Sequence, residues 1–166
     1  MPTVELSAGT IQYETEGPPD ARPVVCIHGY MMGASLWRPL GRLLAEHGLR
    51  CVAPTWPLGA HTEPMRPESE LTMEDLAAIV GEFLVALDLE DVVLLGNDTG
   101  GAIAQLVAVD HPERLGALVL TACDAFEHFP PPILKPLIAA ARLPGPVFTA
   151  ALAPLRTRRG RGRAYG

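Results

Sequence analysis

The residues with the clearest chemical potential form a glycine-rich turn in the middle of the chain, with the sequence Gly96-Asn97-Asp98-Thr99-Gly100-Gly101. The turn lies between an apolar run at residues 92–95 and a helical pattern at residues 102–110. Its glycines allow a bend sharp enough to lift the central side chain, Asp98, clear of the backbone, as in a nucleophile elbow. A carboxylate is already ionised at neutral pH, so Asp98 needs no base to become a nucleophile. The alternative is that Asp98 only caps the following helix.

A second loop, His28-Gly29-Tyr30, follows an earlier apolar run at residues 23–27. A backbone N–H in this loop can join the N–H of Thr99 in stabilising a negatively charged oxygen during a reaction. The sequence therefore predicts an oxyanion hole formed by Tyr30 and Thr99.

The elements around these two loops alternate between strand and helix. Short apolar runs predict strands covered on both faces, at residues 23–27, 51–53, 92–95 and 117–120. Helical patterns lie between or after them, at residues 36–47, 72–87 and 102–110. Residues 4–6 and 11–14 alternate polar and apolar and predict an antiparallel hairpin. The pattern indicates an α/β fold, a mostly parallel sheet flanked by helices and opened by an N-terminal hairpin, with the site at the carboxyl ends of the strands.

Together with His111-Pro112-Glu113-Arg114 ahead of the next strand, these motifs resemble the N-terminal part of an α/β-hydrolase-fold enzyme. The resemblance is to the aspartate-nucleophile branch, which includes haloalkane dehalogenases and epoxide hydrolases, and it covers essentially the whole chain. It implies about six of the eight strands of that fold, with Asp98 as the nucleophile. It also implies a small electrophile as substrate (an epoxide, alkyl halide or ester), a covalent ester on Asp98, and no metal or other cofactor.

The resemblance also implies an acid and a histidine that activates water. Asp124 stands where some family members place the acid, although capping of a loop explains it equally well. The family's histidine follows the last strand, whereas the histidines after Asp98 in this chain are His111 and His128. Neither is expected to replace it, so the sequence predicts impaired turnover.

The sequence gives weaker signals for the substrate pocket than for the nucleophile. Trp56 and His61 follow a predicted strand end and are the pocket candidates, with packing and a plain loop position as their alternatives. Haloalkane dehalogenases usually carry asparagine and tryptophan where this chain has Tyr30 and Thr99. A halide-binding site is therefore not expected.

Composition limits the class of protein and its partners. Of 166 residues, 48% are hydrophobic and 19% charged, which predicts a folded chain. All 19 acidic residues but only six of 13 basic ones lie in residues 1–127, which disfavours nucleic acid as a partner of this part. An arginine-rich end at residues 156–163 is more simply a solvated face. The three cysteines and the lack of a long apolar run predict free thiols, no membrane partner and a cytoplasmic location.

The charge division also suggests where the domains lie. Residues 1–129 are expected to form an incomplete hydrolase core, and residues 130–166 the start of a helical cap with a basic, Arg/Gly-rich end. An open sheet edge would expose apolar surface and favour self-association. The favoured function is hydrolysis of a small molecule through Asp98. The alternative is a truncated, catalytically incomplete hydrolase-like protein or binding module.

Overall fold

A computed structural model of the chain describes residues 1–123, 135–141, 144–153 and 157. The chain divides into two compact units, Met1–Ala125 and Phe126–Gly166. The predicted acid Asp124, His128 and the arginines of the basic end lie outside the described residues.

The first unit is built on a six-stranded sheet in the order β1-β2-β4-β3-β5-β6. The strands are β1 Thr3–Leu6, β2 Gly9–Glu16, β3 Pro23–Ile27, β4 Arg50–Pro54, β5 Val92–Asn97 and β6 Leu115–Thr121. Strand β2 runs antiparallel to both β1 and β4, while β4, β3, β5 and β6 are parallel to one another. The predicted α/β class, with a mostly parallel sheet and an N-terminal antiparallel hairpin, is confirmed.

Three helices connect the parallel strands: α1 Arg38–Glu46, α2 Met73–Ala86 and α3 Thr99–Asp110. A 3-10 turn, Ala34–Trp37, precedes α1. Pro39 lies in the first turn of α1. Proline suits this position because the first N–H groups of a helix have no partner within the helix. Helix α3 begins at Thr99 rather than at the predicted Ala102. Asp98 is its N-cap, so Thr99, Gly100 and Gly101 belong to its first turn.

The core has one layer on each face of the sheet. Alternate residues of β3 point to opposite faces: Val25 and Ile27 pack with residues of α2 and α3, and Val24 and Cys26 pack with Trp37. Helix α2 supplies much of the first layer, including Leu76, Ala77, Val80, Phe83 and Leu84. Strands β3, β4 and β5 are thus covered on two faces, which explains why they read as continuous apolar runs. The predicted cover on both faces is wrong for β6, whose residues 116–121 are exposed because β6 is the last strand of the described sheet.

The strand register brings the site loops to one edge of the sheet. Ile27, the last residue of β3, pairs with Gly96 of β5, and Asn97 pairs with Thr121 at the end of β6. The loops after these strands therefore begin side by side, as expected at the carboxyl ends of parallel strands.

The second unit contains two helices among its described residues, α4 Lys135–Ala141 and α5 Gly145–Leu152. Helix α5 carries Pro146 in its first turn, and Thr149 donates its hydroxyl hydrogen bond back to the carbonyl of Gly145. Both helices fall within the region predicted to start a helical cap.

Candidate active site

Asp98 sits at a strained turn between β5 and α3. Its backbone has φ +56° and ψ −132°, a conformation that residues with a side chain rarely adopt. The strained backbone holds the residue between the end of the strand and the first turn of the helix. This geometry is that of a nucleophile elbow.

The glycines around Asp98 permit very close backbone packing. A Cβ atom on Gly96 would lie 2.6 Å from the Cα of Gly101, so β5 and the first turn of α3 approach each other too closely for a side chain. A Cβ on Gly100 would collide with the carbonyl of Ile27 at the end of β3. The spacing of glycines seen in the sequence thus has a steric cause, since it lets the helix begin against the two central strands.

The carboxylate of Asp98 is held by the residue that follows it. The Oδ1 atom accepts hydrogen bonds from the backbone N–H of Thr99 and from the Thr99 hydroxyl, the latter at 2.9 Å. The side chain also lies over Gly29, where an added Cβ would be 2.7 Å from both Cβ and Cγ of Asp98. The elbow and the His28-Gly29 loop therefore meet at the carboxylate.

His28 is a structural residue of the second loop. It is fully buried, and its Nε2 accepts a hydrogen bond from the backbone N–H of Trp56 at 2.9 Å. The other ring nitrogen, Nδ1, must then carry the proton, and it donates to the carbonyl of Gly29 at 2.9 Å. Burial lowers the pKa of His28, which keeps the ring neutral. With both ring nitrogens engaged, His28 fixes the loop and has no free lone pair to act as a base.

The two residues of the predicted oxyanion hole differ in their contacts. Thr99 is buried and bonded to Asp98, whereas the Tyr30 side chain is 44% exposed. Within the part of the chain that the structure describes, no hydrogen bond joins Tyr30 to Asp98. The sequence did not predict that the Thr99 side chain also contacts the carboxylate, although a hydroxyl residue directly after the aspartate was a visible signal.

Among the described residues, neither of the two pocket candidates forms a hydrogen bond with the Asp98 carboxylate. Trp56 is 1% exposed, donates its indole N–H to the carbonyl of Cys26 at 3.0 Å, and packs edge-on against Phe83 with ring centroids 5.2 Å apart. Its ring is thus part of the core. His61, in the loop after β4, is half-buried, and its Nδ1 is enclosed without a hydrogen-bond partner among the described residues.

The histidines give Asp98 no hydrogen-bonded partner. None of the four in the described ranges (His28, His47, His61 and His111) bonds to its carboxylate. His111 instead packs its ring against α2, where it would collide with a Cβ on Gly81.

The described residues contain no group of three or more metal-ligating side chains placed to share an ion. Among the helices in the described ranges, none has the length and apolar character needed to cross a bilayer.

Comparison with known proteins identifies the family. The family model for the α/β-hydrolase fold matches residues 22–163. A non-heme chloroperoxidase of Streptomyces lividans is 34% identical over 161 residues, covering 96% of this chain and 56% of the relative. A haloalkane dehalogenase of Mycolicibacterium paratuberculosis is 32% identical over 111 residues, covering 66% of this chain and 36% of the relative.

A solved structure agrees with this assignment. The esterase of Exiguobacterium antarcticum superposes with a TM-score of 0.66 at 25% identity, covering 74% of this chain and 45% of the esterase. The chain thus spans about half or less of the length of these relatives. Together with the elbow between β5 and α3, the match over residues 22–163 shows that the chain belongs to the α/β-hydrolase fold family.

Proposed function

We propose that the chain carries the nucleophile of a hydrolase that attacks small electrophiles through a covalent ester on Asp98. The observation that carries this proposal is the strained backbone of Asp98, which holds an ionisable side chain at the turn between β5 and α3, where the resemblance implies the nucleophile. A helix cap alone would not require this conformation, because capping residues ordinarily have φ and ψ in the extended region. The haloalkane dehalogenase and esterase relatives support a substrate of this general class.

The first step uses one carboxylate oxygen. Oδ1 is hydrogen-bonded to Thr99, so Oδ2 is the oxygen left to attack the carbon of the substrate. A C–O bond forms to Oδ2 while the bond to the leaving group breaks. A halide departs as the free ion, whereas an epoxide oxygen remains attached to the substrate and takes up a proton from solvent water.

The second step requires a base to activate water. His28 is excluded because both of its ring nitrogens are occupied, and His111 packs against Gly81. If neither His128, which lies outside the described residues, nor another group activates water, the ester on Asp98 should persist rather than turn over. A persistent ester agrees with the alternative of a catalytically incomplete member of the family.

Peptide mass spectrometry tests the proposal directly. The purified chain is incubated with styrene oxide or a 1-bromoalkane, each of which leaves an alkyl ester when a carboxylate attacks it, and the peptide containing Asp98 is examined for the added group. We expect an adduct on Asp98 that is absent from the Asp98→Asn variant. If the folded wild-type chain forms no adduct with any of these reagents, the hydrolase proposal is wrong and a binding module is favoured.

A pair of glycine variants tests whether the position of the carboxylate matters. Gly29→Ala places a Cβ 2.7 Å from the Asp98 side chain and forces it to move, whereas the nearest contact of a Cβ on Gly33 is at an ordinary 3.4 Å. We expect Gly29→Ala to slow adduct formation by about 100-fold, the cost of roughly 1 Å of misplacement, and Gly33→Ala to leave it near the wild-type rate. Equal rates in the two variants would show that the loop does not position Asp98.

A further inference from the structure

The contact between Thr99 and Asp98 suggests more than positioning. Thr99 is 2% exposed, and its backbone N–H and hydroxyl both donate to the same carboxylate oxygen, Oδ1. A buried hydroxyl must have a hydrogen-bond partner, and at the first residue of a helix there is no preceding turn of carbonyls to supply one. The Thr99 hydroxyl therefore donates its hydrogen bond to Asp98.

These two bonds make the carboxylate oxygens unequal. Oδ1 receives two donors from Thr99, whereas the hydrogen bonds of the described residues include none to Oδ2. In an ester formed through Oδ2, Oδ1 becomes the carbonyl oxygen. It would then already lie against two donors, which is the arrangement that stabilises an oxyanion.

We propose that the hydroxyl of Thr99 is an oxyanion donor for cleavage of the Asp98 ester, an inference that rests on the function proposed above. When water adds to Cγ of the ester, a new C–O bond forms and the carbonyl electron pair moves onto Oδ1. The pair then returns, the Cγ–Oδ2 bond breaks, and the alcohol leaves with Oδ2 and one proton of the water. The other proton passes to the solvent, and the carboxylate of Asp98 is regenerated with the oxygen of the water in place of Oδ2. In the first step Oδ1 loses its share of the carboxylate charge. A full negative charge develops on Oδ1 only when water adds to Cγ, so the hydroxyl contributes most to the second step.

This assignment changes the composition of the predicted oxyanion hole. The sequence paired the N–H groups of Tyr30 and Thr99, one from each loop. In the structure a single residue supplies two donors to Oδ1, one from the backbone and one from the side chain. The side-chain donor can be removed by mutation, whereas a backbone N–H cannot, which makes the proposal testable.

The experiment measures cleavage of the ester by hydroxylamine, which needs no enzymatic base. The Asp98 adduct is formed with styrene oxide, and hydroxylamine is added. Its nitrogen bonds to Cγ, the Cγ–Oδ2 bond breaks, and a proton passes to the departing alkoxide. Thr99→Val removes the hydroxyl but keeps the N–H and the side-chain shape, and Thr99→Ser restores the hydroxyl. Mass spectrometry gives the rates of adduct formation and adduct loss.

We expect Thr99→Val to slow the loss of the adduct by about 100-fold, as removal of one oxyanion donor does in other enzymes. Adduct formation should change much less, and Thr99→Ser should lose its adduct within several-fold of the wild-type rate. A merely structural role for Thr99 would instead slow both steps together, because a displaced Asp98 would be a poorer nucleophile as well.

Two results would overturn the inference while leaving Asp98 as the nucleophile: equal adduct loss in wild type and Thr99→Val, or a slowing that Thr99→Ser does not reverse. Absence of any adduct on the wild-type chain is a different result. It would overturn the proposed function, and the role of Thr99 with it. If circular dichroism shows that Thr99→Val does not fold, Thr99→Ala, which also lacks the hydroxyl, replaces it.

Discussion

At the residue scale, Asp98 has features both of a helix cap and of the proposed nucleophile. Asp98 is the N-cap of α3, and its carboxylate accepts from the N–H of Thr99, as a capping role requires. An ordinary N-cap, however, bonds the N–H two or three residues further on and has an extended backbone. Asp98 instead bonds the adjacent N–H and has a strained, positive φ. Strain of this kind is typical of functional sites, so capping alone does not explain the residue.

His28 provides a prediction about the pH dependence of stability. Burial lowers its folded-state pKa below the ordinary value of 6.5. As the pH falls below about 6.5, the unfolded chain takes up a proton that the folded chain does not bind. The free energy of unfolding therefore contains a His28 contribution that is complete above pH 6.5 and is lost as the pH falls toward the folded pKa. One group gives a slope of at most about 1.4 kcal/mol per pH unit.

Urea unfolding at pH 7.5, 6.5 and 5.5 measures this slope. We expect the free energy of unfolding to fall with pH less steeply in His28→Gln than in the wild type, because the substitution removes the titrating ring. His47→Gln, at an exposed histidine after α1, controls for the loss of an imidazole. Identical slopes in the wild type and His28→Gln would contradict the neutral, buried state of His28.

At the scale of elements, α2 depends on a capping box at its N-terminus. The Thr72 hydroxyl accepts from the N–H of Asp75 at 3.2 Å, and the Asp75 carboxylate accepts from the N–H of Thr72 at 3.1 Å. The helix beyond it buries Leu76 and Phe83 in the main core. We expect Thr72→Ala to lower the free energy of unfolding by about 1 kcal/mol, measured by urea denaturation.

Two further variants show whether the capping contact itself is responsible. Thr62→Ala, at an exposed threonine outside the helices, should change the stability by less than about 0.5 kcal/mol. Because Thr72 and Asp75 bond reciprocally, the double variant with Asp75→Ala should cost less than the sum of the two single changes. Additive losses would show that the two residues act independently.

The elements that could be predicted from the sequence are those with local signals. Strand β3 has the predicted bounds, Pro23–Ile27, because a fully covered strand is a continuous apolar run. The capping residues of α2 could also be predicted, because Thr72 and Asp75 are only three residues apart in the sequence. The placement of β2 beside β4 could not be predicted, because it depends on pairing between Tyr13 and Pro54, which are far apart in the chain.

The site shows the same division between local and distant contacts. The turn at Asp98 could be predicted because its glycines lie within a few residues of it. The bond between the His28 ring and the N–H of Trp56 joins two loops 28 residues apart, so no local pattern encodes it. Trp56 therefore looked like a pocket residue by its place after a strand, while its indole is part of the core.

At the scale of the whole molecule, the sheet formed by the described residues ends in an apolar strand, β6. Strand β6 is the last in the strand order, and Leu118, Val119 and Leu120 are each about 40% exposed. Its sequence, Leu115–Thr121, contains no charged residue and no proline, the usual features that keep a free edge from pairing with another chain. Successive residues of a strand point to opposite faces, so both faces of the edge present apolar side chains.

We expect a second copy of the chain to be the partner of this edge, because two β6 strands can pair antiparallel about a twofold axis through the same residues. Sedimentation velocity over a range of concentrations should show association that Val119→Lys weakens, since a lysine on the edge places like charges together in the pair. Val109→Lys makes the same change at a valine of α3 that is 76% exposed, and should leave association unaltered. A wild-type chain that remains monomeric at all concentrations would contradict this expectation. Equal weakening by both lysines would instead indicate that net charge, rather than the β6 edge, controls association.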